Sequence, residues 1–234
     1  MKPKSQAGFT LWELLVTVLV AGILLGLGVP SLQDAQRNNA ISGAVNDLVT
    51  GLLAARAEAV KRRVPVTLCA SPDPTAGNPV CTQTGAGANG GFIVWVDENG
   101  NVDANGTPIL TDPTDGNAVV NPNETILMRQ LPPPTMVPNG ALQVFASNSG
   151  ALVNSAYITF AANGFPIIPT PAGAPAMVNR ILYCDDRGNK NGPGGANFST
   201  ARLVQIDQTG RAAVVSNRTD IANSLAQIPG AVCP

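Results

Sequence analysis

Apolar residues fall into three regimes along the chain. Residues 9–29 are apolar almost without a break, interrupted only by Thr10, Glu13, Thr17 and the indole N–H of Trp12. These 21 residues predict a helix of roughly 31 Å, enough to cross the hydrocarbon core of a bilayer. Beyond Pro30 the apolar positions become periodic. Ile41, Val45, Leu48, Leu52, Ala55 and Ala59 recur at three- and four-residue steps and draw one stripe on a second helical stretch. Gln33, Arg37, Asn38, Asn46, Arg56 and Lys61 are expected on the opposite side. After Pro65 short β-rich runs alternate with turns. Strands are expected at 64–70, 91–96, 125–130, 142–146, 157–161, 179–184, 202–207 and 212–216. An Asn99-Gly100 turn and linkers at 132–134 and 168–175 separate some of them.

The pattern predicts an α+β fold. A long N-terminal helix, half transmembrane and half amphipathic, packs its stripe on two small antiparallel sheets. Lys61, Arg62 and Arg63 suit the C-terminal end of the helix dipole. A nucleic-acid contact is the weaker reading of the same three residues.

Composition narrows the functions. The chain has 234 residues, a formal charge of −1 and only 12% charged side chains, against about a quarter in an ordinary soluble protein. No overall basic excess marks a nucleic-acid binder. There is no His, which removes the commonest general base and metal ligand and excludes Ser–His–Asp and Cys–His catalysis. No enzyme activity and no cofactor are expected. The four cysteines, Cys69, Cys81, Cys184 and Cys233, lack C-x-x-C spacing and point to disulfides in an oxidising compartment. Three pairings are possible; the local one, Cys69–Cys81 with Cys184–Cys233, is expected, each bond contributing roughly 2–4 kcal/mol.

Lys2 and Lys4 precede the apolar run, which orients the rest of the chain outward. A secretory signal peptide would show a small-residue cleavage site after Val29, and none follows. A plain anchor gives no reason for Glu13, because an ionisable side chain inside a span is costly and needs a partner. Gly8-Phe9-Thr10-Leu11-Trp12-Glu13 resembles the prepilin motif of type IV pilins and type II secretion pseudopilins. That resemblance implies cleavage after Gly8 by a prepilin peptidase, N-methylation of Phe9, and pairing of Glu13 with the terminal amine of a neighbouring subunit. Trp12 departs from the aliphatic residue usual there. The resemblance also implies that the stretch between Gly22 and Pro30 loosens when subunits pack.

Further segments are similar to the GspH/FimT family of minor pilins and pseudopilins. They are the helix end with Val64-Pro65-Val66-Thr67-Leu68-Cys69, the strand and turn from Gly91 to Gly100, Ile158-Thr159-Phe160 with Asn163-Gly164, and the last hairpin from Ala201 to Arg211. The implied organisation is a leader at 1–8, a transmembrane helix at 9–29, an amphipathic spine at 30–63 and a β-rich periplasmic domain at 64–234. The implied protein is a single-pass inner-membrane subunit. It primes assembly or forms the tip of a type IV pilus or a type II secretion pseudopilus, with other pilins or pseudopilins as partners. The alternative is a DNA- or surface-binding minor pilin.

Three further segments carry residues that suggest a site. Asp97, Asn99, Asn101 and Asp103 alternate like a calcium loop, but Val102 and Pro108 stand where that loop needs Gly and Glu, and a hairpin turn accounts for them. Asp185, Asp186 and Asn189 read as an acidic loop, so no metal is expected. Some FimT-like relatives bind DNA through Gly-Arg-x-Arg in the last hairpin. Here Gly210-Arg211-Ala212-Ala213 keeps one Arg. Without Lys2 and Lys4, 12 basic residues face 15 acidic ones, a formal charge of −3, which works against phosphate binding.

Overall fold

The computed structural model describes residues 8–80, 91–97, 120, 124–131, 143–148, 151–152, 157–167, 179–192 and 195–226. Most of the leader, Cys81, Cys233, Asn99, Asn101, Asp103 and the linkers at 132–134 and 168–175 lie outside them.

One helix, α1 (Leu11–Arg62), carries both the apolar run and the amphipathic stripe without interruption. Its 52 residues span about 78 Å. Pro30 lies inside it and removes one backbone donor, yet the helix continues. At its end Arg63 adopts the left-handed conformation (φ 61°) and donates its N–H to the Ala59 carbonyl at 2.9 Å. This cap turns the chain into β1 (Val66–Ala70). Lys61 and Arg62 both pair with Glu58, at 3.1 and 2.7 Å.

The strands follow as β2 (Phe92–Val96), β3 (Ile126–Gln130), β4 (Gln143–Asn148), β5 (Ala151–Leu152), β6 (Tyr157–Phe160), β7 (Pro166–Ile167), β8 (Arg180–Cys184), β9 (Asn191–Gly192), β10 (Gly195–Ile206) and β11 (Ala212–Asn217). A short helix, α2 (Arg218–Ala226), closes the described chain. The first sheet has the order β3-β2-β1-β6-β7 and the second β11-β10-β8-β4-β5, with β9 beside β10. Every described pairing is antiparallel.

The stripe Ile41, Val45, Leu48, Leu52, Ala55 and Ala59 is buried throughout. It covers Val66, Leu68, Phe92, Val94, Ile158 and Phe160 of the first sheet and Ile181, Tyr183, Val204 and Ile206 of the second. Parts of the far faces are buried as well. Ile221 of α2 covers Leu182 and Leu203, and Ile126 and Val120 pack on Cys69, Ile93 and Trp95. The turn at Gly210 (φ 78°) joins the sheets: a Cβ there would lie 2.8 Å from the Phe160 ring.

Several expectations need correction. Arg37 and Asn38 do not face solvent. Asn38 is buried, and Arg37 is largely covered and bonds Asp186 at 2.9 Å. The two-residue strands β5, β7 and β9 were not expected, because two residues carry no periodicity. Nor was α2, whose start is set by the Asn217 side chain accepting from the N–H groups of Thr219 (2.8 Å) and Asp220 (3.4 Å). β10 begins at Gly195 rather than 202, lengthened by a bulge between Phe198 and Leu203.

Candidate assembly site

The start of α1 is built by two side chains three residues apart. Thr10 is the N-cap (φ −79°, ψ 150°), and its Oγ1 accepts from the Glu13 N–H at 3.3 Å. Glu13 Oε2 in turn accepts from the Thr10 N–H at 3.1 Å and from the Thr10 hydroxyl at 3.0 Å. This reciprocal capping box satisfies donors that the first turn of a helix leaves open. Thr10-x-x-Glu13 was a readable signal of it, and Glu13 was instead read only for its charge. The box occupies one carboxylate oxygen. Among the described residues Oε1 makes no hydrogen bond or ion pair.

The helix that follows is bare. Phe9 is 86% exposed, and Leu11, Trp12, Leu14, Leu15, Val18, Leu19, Ile23, Leu24, Leu25 and Leu27 are each at least half exposed. This part of α1 is long and apolar enough to cross a membrane, and none of its most apolar window is buried. Gly8, Gly22, Gly26 and Gly28 touch nothing: a Cβ built on any of them meets no atom within 4 Å. Helical glycine costs roughly 1 kcal/mol relative to alanine, and nothing among the described residues offsets that cost at 22, 26 and 28. Gly51 differs, because its absent Cβ would fall 2.5 Å from the Phe92 ring.

Where the bare half meets the domain, an ion-pair cluster grips the helix. Arg187 forks onto Asp185 at 2.7–3.1 Å and reaches the Asp34 carboxylate and carbonyl at 3.4 Å. Arg37 bonds Asp186. The acidic loop therefore clasps α1. Asp97 is likewise enclosed, its Oδ2 accepting from the Thr67 hydroxyl at 2.5 Å, with Thr67 also bonded to Thr159 at 2.7 Å. Such bonds are what make a buried polar group tolerable. Among the described residues no group of three or more Cys, Asp or Glu is placed to hold a metal. Cys69 and Cys184 are both disulfide-bonded.

Arg211 lies on the outer side of the second sheet. It lines a cavity of about 380 Å³ with Asn179, Arg180, Gln205, Asp207 and Ala213. Sequence reading missed Arg180, which comes from a different strand. Asp207 Oδ1 accepts from the Thr209 hydroxyl (2.6 Å) and N–H (2.8 Å) and from the Arg211 N–H (2.9 Å). These bonds, the Thr209 hydroxyl foremost, hold its carboxyl below the usual aspartate range.

A profile of the prokaryotic N-terminal methylation motif matches residues 3–29. A profile described as type II transport protein GspH matches residues 44–210. Curated proteins give no match. Among solved structures the chain is similar to the type IV minor pilin FimU of Pseudomonas aeruginosa (strain PAO1) in two crystal forms. In space group P21 the identity is 18% and the TM-score 0.35, covering 76% of this chain and 89% of that one. In space group P65 the identity is 17% and the TM-score 0.34, covering 74% and 91%. The GspH profile spans most of the chain, and the methylation motif sits on the capped start of α1. The chain belongs to the GspH family of minor pilins and pseudopilins, which are structural subunits and not enzymes.

Proposed function

We propose that this subunit primes assembly, or forms the tip, of a type IV pilus or type II secretion pseudopilus. A prepilin peptidase cuts after Gly8 and Phe9 becomes the methylated N-terminus. Residues 9–29 hold the subunit in the inner membrane until it is extracted, residues 30–63 carry the domain as a spine, and residues 64–234 fold in the periplasm. Cys69 pairs with Cys81 and Cys184 with Cys233. The observation that supports this reading most is the contrast along α1. Beyond Asn38 one stripe of the helix is buried in its own domain, while residues 9–29 are apolar, glycine-bearing and uncovered. A side chain of Gly size lets another helix backbone approach closely.

Glu13 links the cap to assembly. One oxygen serves Thr10, and the other is left for the terminal amine of a neighbour. Two charges in apolar surroundings need each other, and stranding one costs several kcal/mol. Glu13→Gln keeps a side-chain oxygen for Thr10 but loses the charge. It is expected to be inserted and cut normally yet to be missing from sheared filaments, with the N-terminal peptide mass reporting cleavage. Recovery of Glu13→Gln in filaments at the wild-type level would remove the pairing from the mechanism.

A further inference from the structure

The turn of α1 that enters the domain is held differently from the rest of the spine. Residues 31–36 are exposed, and Ile41 is the first buried apolar side chain of the helix. Between them Asn38 is buried, Arg37 and Ala40 are half-buried and Asn39 is exposed. Among the described residues two polar links tie this turn to the domain. Arg37 bonds Asp186 at 2.9 Å, and Arg187 reaches the Asp34 carboxylate and carbonyl at 3.4 Å. Charge holds this stretch, whereas apolar burial holds the helix from Ile41 onward.

The domain side of these links is firmly built. The Arg187 guanidinium is forked onto Asp185, and the Arg187 N–H donates to the same carboxylate at 3.0 Å. Gly188 closes the turn with φ 64° and an N–H bond to the Asp185 carbonyl at 2.9 Å, and the buried Thr200 hydroxyl donates to the Gly188 carbonyl. The links to the helix are weaker. The Asp34 side chain is 63% exposed and that of Asp186 45%, so water and salt screen both pairs. Closure also leaves Arg37 Nε and Asn38 Oδ1 buried with no hydrogen-bond partner among the described residues. Such groups are costly to bury, and opening would give both to water. The backbone resists little. Pro30 has no N–H for the Gly26 carbonyl, Gly26 and Gly28 lower helix propensity just before the turn, and Asn38 and Asn39 are poor helix formers.

We propose that residues 31–40 form a salt-sensitive latch between the bare half of α1 and the domain. In the closed state the Arg37–Asp186 and Asp34–Arg187 links hold this stretch against the 185–188 turn. In the open state both links part, Arg37 and Asn38 are hydrated, and the freed helical turns exchange their backbone bonds with water. The Asp185–Arg187 fork is kept in both states, and the apolar stripe from Ile41 stays on the sheets. Opening lets the domain pivot on α1 at Ala40–Ile41 and adds residues 31–40 to the arm below it. The device uses contacts within one subunit, so it stands or falls separately from the role given to Glu13 and from filament assembly.

The test follows amide exchange of the full chain in nonionic detergent micelles. Raising NaCl from about 0.1 M to about 1 M shortens the screening length from about 10 Å to about 3 Å. The N–H groups of Asn38, Asn39, Ala40 and Ile41 bond to the carbonyls of residues 34–37 in the helix and report the latch. Those of Leu48, Leu52 and Ala55 report the spine. High salt should speed the first set roughly tenfold relative to the second. Arg37→Gln should show that fast exchange already at low salt and lose most of the salt response. Arg37→Lys, which keeps the charge, should keep the response. If Arg37→Gln does not fold, the salt series on the unaltered chain decides alone. A ratio that salt leaves unchanged, acceleration of both sets together, or an Arg37→Gln chain with the full salt response would each overturn the proposal.

Discussion

At the scale of single residues, the polar groups that matter are those held by short local bonds. Asp207 is the clearest. Its folded pKa is depressed, so the stabilisation it gives the last hairpin is complete above the ordinary aspartate value of about 4 and is lost as pH falls through the lower folded value. The amide resonances of Thr209 and Arg211 should therefore keep their downfield positions to below pH ~4 and collapse together under stronger acid. Asp207→Ala should show the collapsed positions at neutral pH. Local bonds were legible: Thr10 and Glu13 stand at capping-box spacing, and Asp207-x-Thr209 is a turn signature. Bonds between distant residues were not. Periodicity set the helix stripe correctly, but Arg37 bonds a carboxylate 149 positions away, and no local pattern announces that. Asp97 looked like one oxygen in an alternating series. It accepts instead from Thr67, which is itself bonded to Thr159, and strand pairing brings these two threonines together.

At the scale of elements, α1 is held to the sheets by close packing and to the acidic loop by charge, and each can be tested. Gly51→Ala would push a methyl group into the Phe92 ring. Overpacking of this kind costs about 1–3 kcal/mol, to be read from urea unfolding of the full chain in detergent. Arg187→Ala would strand Asp185, whose side chain is only 5% exposed. Removing one partner of a buried pair costs about 3–5 kcal/mol. A loss well under 1 kcal/mol would mean that water replaces the guanidinium. The longer strands could be read from sequence as runs of apolar and β-branched residues. Their alternation was weak because both faces of β1 and β2 are buried. The helix α2 gave no such signal, since Ile221 is the one fully buried apolar anchor among its described side chains and its cap is a lone Asn.

At the scale of the whole molecule, the two halves of α1 should respond to mutation in opposite ways. Gly26→Leu fills open space in the isolated subunit and improves helix propensity by up to about 1 kcal/mol. Unfolding of the β domain should be unchanged, while the amount of subunit recovered in filaments should fall. If recovery is unaffected, the glycine is not at a helix–helix contact. The bare half of α1 also has a consequence for traffic. Among the described residues nothing shelters its leucines and valines, so water is a poor medium for it. On the proposed function, lipid surrounds it first and other helices afterwards. The exchange expected on that reading is a direct handover, in which each side chain leaves an acyl chain only as a neighbouring subunit takes its place. A free aqueous intermediate would carry its own aggregation seed. On the proposed function, the membrane is the reservoir that keeps unassembled copies monomeric, and the growing structure competes with it for the same surface.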